Sequence, residues 1–289
     1  MRSRLLATMA TVAVVATLLY GAAACDGGDD PADTGLDGTA LERATAILGS
    51  APTGVAKDIV ECGHMIVAND RAYPPQSSLD ETSGELVGFD VDVAKAVGEI
   101  LGLEVRFVNP DWETIPAGLN SGRIDVSIGS MSITPEKDKS VDFTAPYYFA
   151  TAQAFVKEGG PQITSVADLD GTSVGVGVAT TYYDFLKQES KAVIKTYATD
   201  TDAFPDLRSG KLDFVVTAGP TGQQAILAGE PFAFSGGPLY YEDLAFAVAE
   251  GEVDWLKLLD HAIATMRENG TLTDLSKEWY QGLDLTVES

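Results

Sequence analysis

Histidine and cysteine are scarce in this chain: two of each among 289 residues. That scarcity excludes most zinc chemistry, because structural sites take four Cys or His ligands and catalytic sites three protein ligands. His64 and His261 stand far apart, and both read as structural or solvated residues. No Cys/His pairing and no Gly-x-Ser-x-Gly string occurs, so nucleophilic catalysis has no local signature. Positive charge is the other shortage. Lys and Arg number 19 against 43 Asp and Glu, a formal charge of −24. Nucleic acid and anionic lipid surfaces both need basic patches, so neither is an expected partner. The acidity suits a cationic ligand, and it also simply keeps a surface soluble. The string "GVGVATT" lacks the later glycine and the following acid of a dinucleotide loop. No cofactor and no metal is therefore expected.

Long apolar runs are confined to the start of the chain. Arg2 and Arg4, the apolar run Leu5 to Tyr20, and Ala22-Ala23-Ala24 have the order of an export signal, residues 1–24. No later stretch is long and apolar enough to span a bilayer. Cys25 directly follows the small residues, as at a bacterial lipidation site, although Ala22 stands where leucine is usual. The expectation is an extracytoplasmic protein anchored to the outer face of the cell membrane by lipid on Cys25, with secretion as the alternative. Cys62 would then lack a partner within the chain and serve as a small filler at a helix end. Residues 26–38, "DGGDDPADTGLDG", have almost no apolar content and read as a flexible acidic tether, which supports the anchor. The tether is placed at 25–53, although Thr39-x-x-Glu42 is a capping box that predicts a short helix up to Gly49.

Beyond residue 54, strands and helices alternate. Expected strands lie at 64–68, 104–108 and 124–128, with helices at 90–101 and 113–121. This spacing indicates βαβ units and parallel pairing. In the helix after Gly88, Val93, Ala94, Val97, Ile100 and Leu101 form one apolar face, and Asp90 is the expected N-cap. Thr134-Pro135-Glu136 marks another helix start. The run 147–156 is extended and apolar and leads into a second alternation. Its strands are 173–177, 192–197 and 212–217, and its helices start near Thr181, Asp202 and Thr221. The run 239–248 resembles the first crossing, and two helices close the chain.

"GFDVDVA" at 88–94 resembles the signature of the polar amino-acid family of bacterial extracellular solute-binding proteins, family 3. The resemblance continues through "GLNSGRIDVSIGSMSITPEKDKSVDFTAPYY", "DLDGTSVGVGVATTY", "RSGKLDFVV" and "MRENGTLTDLSKEWY", in the family's own order over roughly residues 60–285. It implies an α/β fold of the type II periplasmic-binding-protein kind. Each of its two lobes is a mainly parallel sheet flanked by helices, with two crossover segments as hinge. Lobe 1 would be 54–149 with 243–289, and lobe 2 would be 150–242. The implied function is the ligand-binding component of an ABC importer, a monomer that closes on a small polar solute and docks on a membrane permease.

The resemblance also implies the site. Tyr73 and Trp112 occupy the positions of the family's flanking aromatics, and Asp70 that of the acid at the ligand's distal end. Ser130 and Ser132 fall where the polar head is fixed. Thr180, Thr181 and Tyr182 open a helix whose N–H groups offer an anion site. Two positions depart from the family. Lys137 stands for the arginine that clamps the α-carboxylate, and Ala218 for the aspartate that receives the α-ammonium. Lysine keeps the charge but loses the two-pronged geometry. These losses favour a ligand other than an ordinary α-amino acid, with a clamp rebuilt from other residues as the alternative. A delocalised or quaternary cation would suit Tyr73, Trp112 and Asp70. A cyclohexadienyl-dehydratase-like enzyme and a receptor for a signalling partner are the rival functions on this fold.

Overall fold

The computed structural model describes residues 38–80 and 82–287. The expected export signal, Cys25 and the acidic stretch up to residue 37 lie outside the described residues. The folded body starts before Gly54. Thr39 caps helix α1 (Ala40–Leu48) by exchanging bonds with Glu42, and Gly49 ends it. Ala40 and Ala44 are buried, and Arg43 donates to the carbonyls of Glu99 and Ile100. The expected tether 25–53 therefore contains a core helix. Two alanines give too narrow an apolar stripe to reveal its burial in sequence. Helix α2 (Gly54–Cys62) leads into β1 (His64–Ala68). Cys62 is disulfide-bonded rather than an unpartnered filler, a second correction.

The expected loop after β1 instead folds into a small antiparallel sheet of β2 (Ala72–Tyr73), β3 (Ser77–Leu79) and β4 (Leu86–Val87). Helix α3 (Phe89–Leu101) follows, with Gly88 and not Asp90 at its N-cap. Gly88 has φ 139°, and a Cβ there would lie 2.2 Å from the Gln76 carbonyl oxygen, so only glycine fits. Asp90 is displaced inward and fully buried. Strand β5 (Glu104–Val108) precedes α4 (Ile115–Asn120) and β6 (Val126–Ser132), which runs further than expected. The helix expected after Thr134 is a single 3-10 turn, Lys137–Lys139. It stops because β7 (Asp142–Phe143) must pair with the last long strand immediately afterwards.

Strand β8 (Tyr148–Lys157) is the first crossing. Then come β9 (Ser173–Gly177), α5 (Thr181–Glu189), β10 (Val193–Tyr197), α6 (Phe204–Ser209), β11 (Phe214–Ala218) and α7 (Gly219–Leu227). Strand β12 (Phe232–Val248) is the second crossing, and α8 (Val253–Glu268) and α9 (Thr271–Trp279) follow it. The main sheet has the order β10-β9-β11-β8-β12-β6-β1-β5, with β7 on β12. It is two arms of one design. In each arm three parallel strands end on an antiparallel crossing strand: β5-β1-β6 on β12, and β10-β9-β11 on β8. The crossings β8 and β12 pair with each other and join the arms.

Each arm has its own core. In the first, α3, α8 and α9 cover the sheet with Phe89, Val93, Val97, Trp255, Leu259 and Met266. Phe89 stacks on Tyr147 at 5.8 Å and meets Tyr148 edge-on at 5.2 Å. Such pairs add about 0.5–1.5 kcal/mol beyond the area they bury. In the second, Val174, Val176, Leu186, Phe214 and Val216 fill the space beneath α5. No described helix is long and apolar enough to cross a membrane.

Candidate functional site

All nine positions implied by the sequence line one cavity. Asp70, Tyr73, Trp112, Ser130, Ser132 and Lys137 come from the first arm, and Thr180, Thr181 and Tyr182 from the second. The walls touch across the cavity. The Trp112 indole N–H donates to the Ala179 carbonyl at 3.2 Å, and the Tyr73 and Tyr182 hydroxyls lie 3.4 Å apart. The Thr201 hydroxyl donates to the Ala72 carbonyl at 2.7 Å.

Lys137 is the cation of this lining. Its ammonium is 5.7 Å from the Trp112 ring centroid and donates to the Ser132 carbonyl at 3.4 Å. Burial lowers its pKa to about 8, against the opposing pull of Glu242 and Asp184. It is therefore mostly charged at neutral pH. Asp70 accepts from the Ala72 N–H at 2.8 Å, and burial pushes its pKa up.

The hydroxyls are more committed than the sequence suggests. Ser130 sits at φ 59°, donates to Asp90 at 2.7 Å and accepts from the Tyr148 hydroxyl at 2.7 Å. Its N–H donates to the Tyr147 hydroxyl at 3.0 Å. Both of its donors are thus spent on the protein. Thr180 caps α5, accepting from the Tyr183 N–H and donating to the Gly177 carbonyl.

Three buried acids escaped the sequence reading. Asp90 accepts from the Tyr147 and Ser130 hydroxyls at 2.6 and 2.7 Å, yet burial raises its pKa to about 7. Asp200 lines the cavity, accepting from the Gly177 N–H at 2.5 Å and the Thr217 hydroxyl at 3.0 Å. Burial raises it too to about 7, with Glu242 and Asp70 adding to the rise. Glu242 lies on β12 and is 4% exposed. The one sequence signal for it was the acid pair Glu242-Asp243 inside an otherwise largely apolar crossing run. Asp200, in "ATDTDA", looked like any acid at a helix start. Ala218 ends β11 buried in the second arm's core, with no charge to offer. Among the described residues no group of three or more His, Cys, Asp or Glu is placed to hold a metal ion.

The model of the bacterial extracellular solute-binding proteins, family 3, matches residues 65–282. The L-cystine-binding protein TcyJ of Escherichia coli (strain K12) is 32% identical over 255 residues, 87% of this chain and 95% of that protein. The L-arginine-binding protein of Pseudomonas aeruginosa is 31% identical, over 80% of this chain and 91% of its own. An ancestral arginine-binding protein bound to arginine superposes with a TM-score of 0.71 at 33% identity, covering 75% of this chain and 98% of that one. The ancestral amino acid-binding protein AncCDT-1, a precursor of cyclohexadienyl dehydratase, gives 0.74 at 31%, covering 78% and 100%. The fold is thus that of type II periplasmic binding proteins, two arms of one design joined by two crossings. The chain belongs to family 3 of the bacterial extracellular solute-binding proteins. It is a solute-binding protein of the ABC-importer kind, one that captures an amino-acid-like solute.

Proposed function

We propose that the ligand is an amino acid or amino-acid derivative with a cationic distal end, held between lobes 54–149 with 243–289 and 150–242. The carrying observation is that residues from both arms converge on one cavity with a cation at one place, Lys137, and acids at another, Asp70 and Asp200. A carboxylate pairs with Lys137. The distal cation lies between the aromatic faces of Tyr73 and Trp112 with Asp70 beside it, an arrangement that aromatic rings and acids favour. Relatives named for arginine and cystine support an amino-acid head. Strands β8 and β12 are the hinge, and closure presents the protein to its permease. The chain acts as a monomer and without catalysis. The relation to a dehydratase runs through an ancestral protein that binds amino acids, which supports capture over turnover.

Calorimetric titration with L-arginine, L-cystine and quaternary ammonium compounds tests this reading. Trp112→Ala should weaken the bound member by about 1–3 kcal/mol and leave the empty protein's melting temperature nearly unchanged. A large loss of stability without ligand would make Trp112 a core residue and remove the aromatic wall.

The reading also holds that lipid on Cys25 anchors the chain. The intact mass of protein from its native host decides. A diacylglyceryl increment is expected, and a mass short by two hydrogens with no lipid overturns the anchor.

A further inference from the structure

Glu242 lies at the junction of the two arms. One carboxylate oxygen, Oε1, accepts from the Ser132 hydroxyl at 2.6 Å and from the Thr181 hydroxyl at 2.6 Å. Ser132 belongs to the first arm and Thr181 to the second, and both line the cavity. The other oxygen, Oε2, is buried with no hydrogen-bond partner. A carboxylate oxygen left unpaired away from water is costly, so such a group marks an absent partner.

The direction of these bonds decides what the cavity head recognises. A hydroxyl has one O–H to donate and two lone pairs to accept with. Ser132 and Thr181 both give their single proton to Glu242. Toward the cavity they present lone pairs alone. Ser130 is in the same position, since its proton goes to Asp90. A ligand carboxylate needs donors and finds none in these hydroxyls. An ammonium has three N–H donors and finds oxygens.

We infer that Glu242 is the counter-charge for the ligand's α-ammonium, acting with Ser132 and Thr181 held as acceptors, in place of the carboxylate missing at Ala218. Ser132 Oγ and Thr181 Oγ1, which line the cavity, accept from the ammonium, and Glu242 behind them supplies the negative charge and holds both hydroxyls as acceptors. Lys137 supplies the positive end of the same clamp. The clamp of the family has thus moved to a crossing strand, where the hinge carries it. The ligand keeps a primary α-ammonium group, contrary to the expectation drawn from Lys137 and Ala218. This inference rests on the reading of the cavity as an amino-acid site.

The test is titration of the full mature chain and its Glu242→Gln variant with L-arginine, L-cystine and the deamino analogue of each. The analogues keep the carboxylate and the distal group but carry hydrogen in place of the α-ammonium. The wild type should bind a parent amino acid at least about a hundredfold tighter than its analogue, the scale of a buried charge pair losing one partner. Glu242→Gln should erase most of that preference while changing analogue binding less than about threefold. Its ligand-free melting temperature should not fall, because a neutral amide replaces a carboxylate with an unpaired oxygen. If the glutamine variant folds poorly, Thr181→Val removes one acceptor and should weaken the parents severalfold but not the analogues. Equal binding of parent and analogue by the wild type overturns the inference and leaves amino-acid-like capture standing. Unchanged parent affinity in Glu242→Gln overturns it as well. A wild type that binds none of the four compounds overturns the underlying reading.

Discussion

The two arms share one strand order yet treat a buried acid in opposite ways. In the first arm Asp90 is enclosed by Tyr147, Ser130 and the start of α3, and it answers only to protein groups. In the second arm Asp200 is equally buried and accepts from the Gly177 N–H and the Thr217 hydroxyl, but it also lines the cavity. Burial raises both acids to about 7. A shifted pKa therefore does not separate an enclosed acid from one that faces the cavity. What lies on the far side of the carboxylate does.

Substitution should separate them sharply. Asp90→Ala leaves two buried hydroxyls short of a strong acceptor, and charge-assisted bonds contribute about 1.5–3 kcal/mol each. A loss of about 3 kcal/mol is expected in denaturant unfolding of the empty protein. Asp200→Asn keeps an acceptor for Gly177 and a polar contact to Thr217, so at pH 4, where the acid is largely protonated, stability should change by less than about 1 kcal/mol. Its effect should appear instead as about a tenfold loss in affinity for L-arginine, or about 1.4 kcal/mol. If Asp200→Asn leaves arginine affinity unchanged, Asp200 joins Asp90 as a structural acid.

The same pair sets a pH dependence. An acid raised from its ordinary 3.8 to about 7 binds its proton more tightly in the folded state. Between those values the native state carries more protons than the unfolded chain, so stability falls as pH rises. The melting temperature should therefore decline from pH 4 toward pH 7 on account of these groups and flatten above it. Asp200→Asn should reduce that slope. An unchanged slope would mean that Asp200 titrates normally.

Much of this architecture was legible in the sequence. Strands β1, β5 and β9 fall where the alternation puts them. The cavity residues were read from the family resemblance, and they lie on elements as much as on loops: Tyr73 on β2, Ser130 and Ser132 on β6, Thr181 and Tyr182 at the start of α5. The misreadings share a physical cause. Asp90 has the sequence marks of a cap, but Gly88 already turns the chain, and the aromatic cluster of Phe89, Tyr147 and Tyr148 draws the acid inward. The helix start at Thr134 is locally correct and is overruled by the pairing of Asp142 with Val248, more than 100 residues away in sequence. Glu242 illustrates the limit best. Its meaning depends on two hydroxyls from opposite arms, and no local window contains all three.

The smallest expected effect concerns backbone strain, which the arms also handle differently. Ser130 in the cavity lining and Ala179, between the lining residues Val178 and Thr180, are non-glycine residues in the left-handed region, at φ 59° and φ 57°. For an ordinary L-residue that conformation costs about 1–2 kcal/mol. Glycine removes the cost, but it also gains freedom in the unfolded chain worth about 0.4–1 kcal/mol. At Ala179 nothing else changes, since Trp112 bonds to the Ala179 backbone carbonyl and not to its side chain. Ala179→Gly should therefore be neutral to slightly stabilising, by roughly 0.5 kcal/mol. At Ser130 the same replacement removes the donor to Asp90 and the acceptor for Tyr148. Ser130→Gly should cost about 1–3 kcal/mol despite the relief of strain. Parallel unfolding curves of the two variants check the contrast. If both prove neutral, the hydrogen bonds around Asp90 contribute little to stability. If both destabilise alike, the left-handed backbone at Ala179 is held by more than its own turn, and the two walls are more equivalent than their side chains suggest.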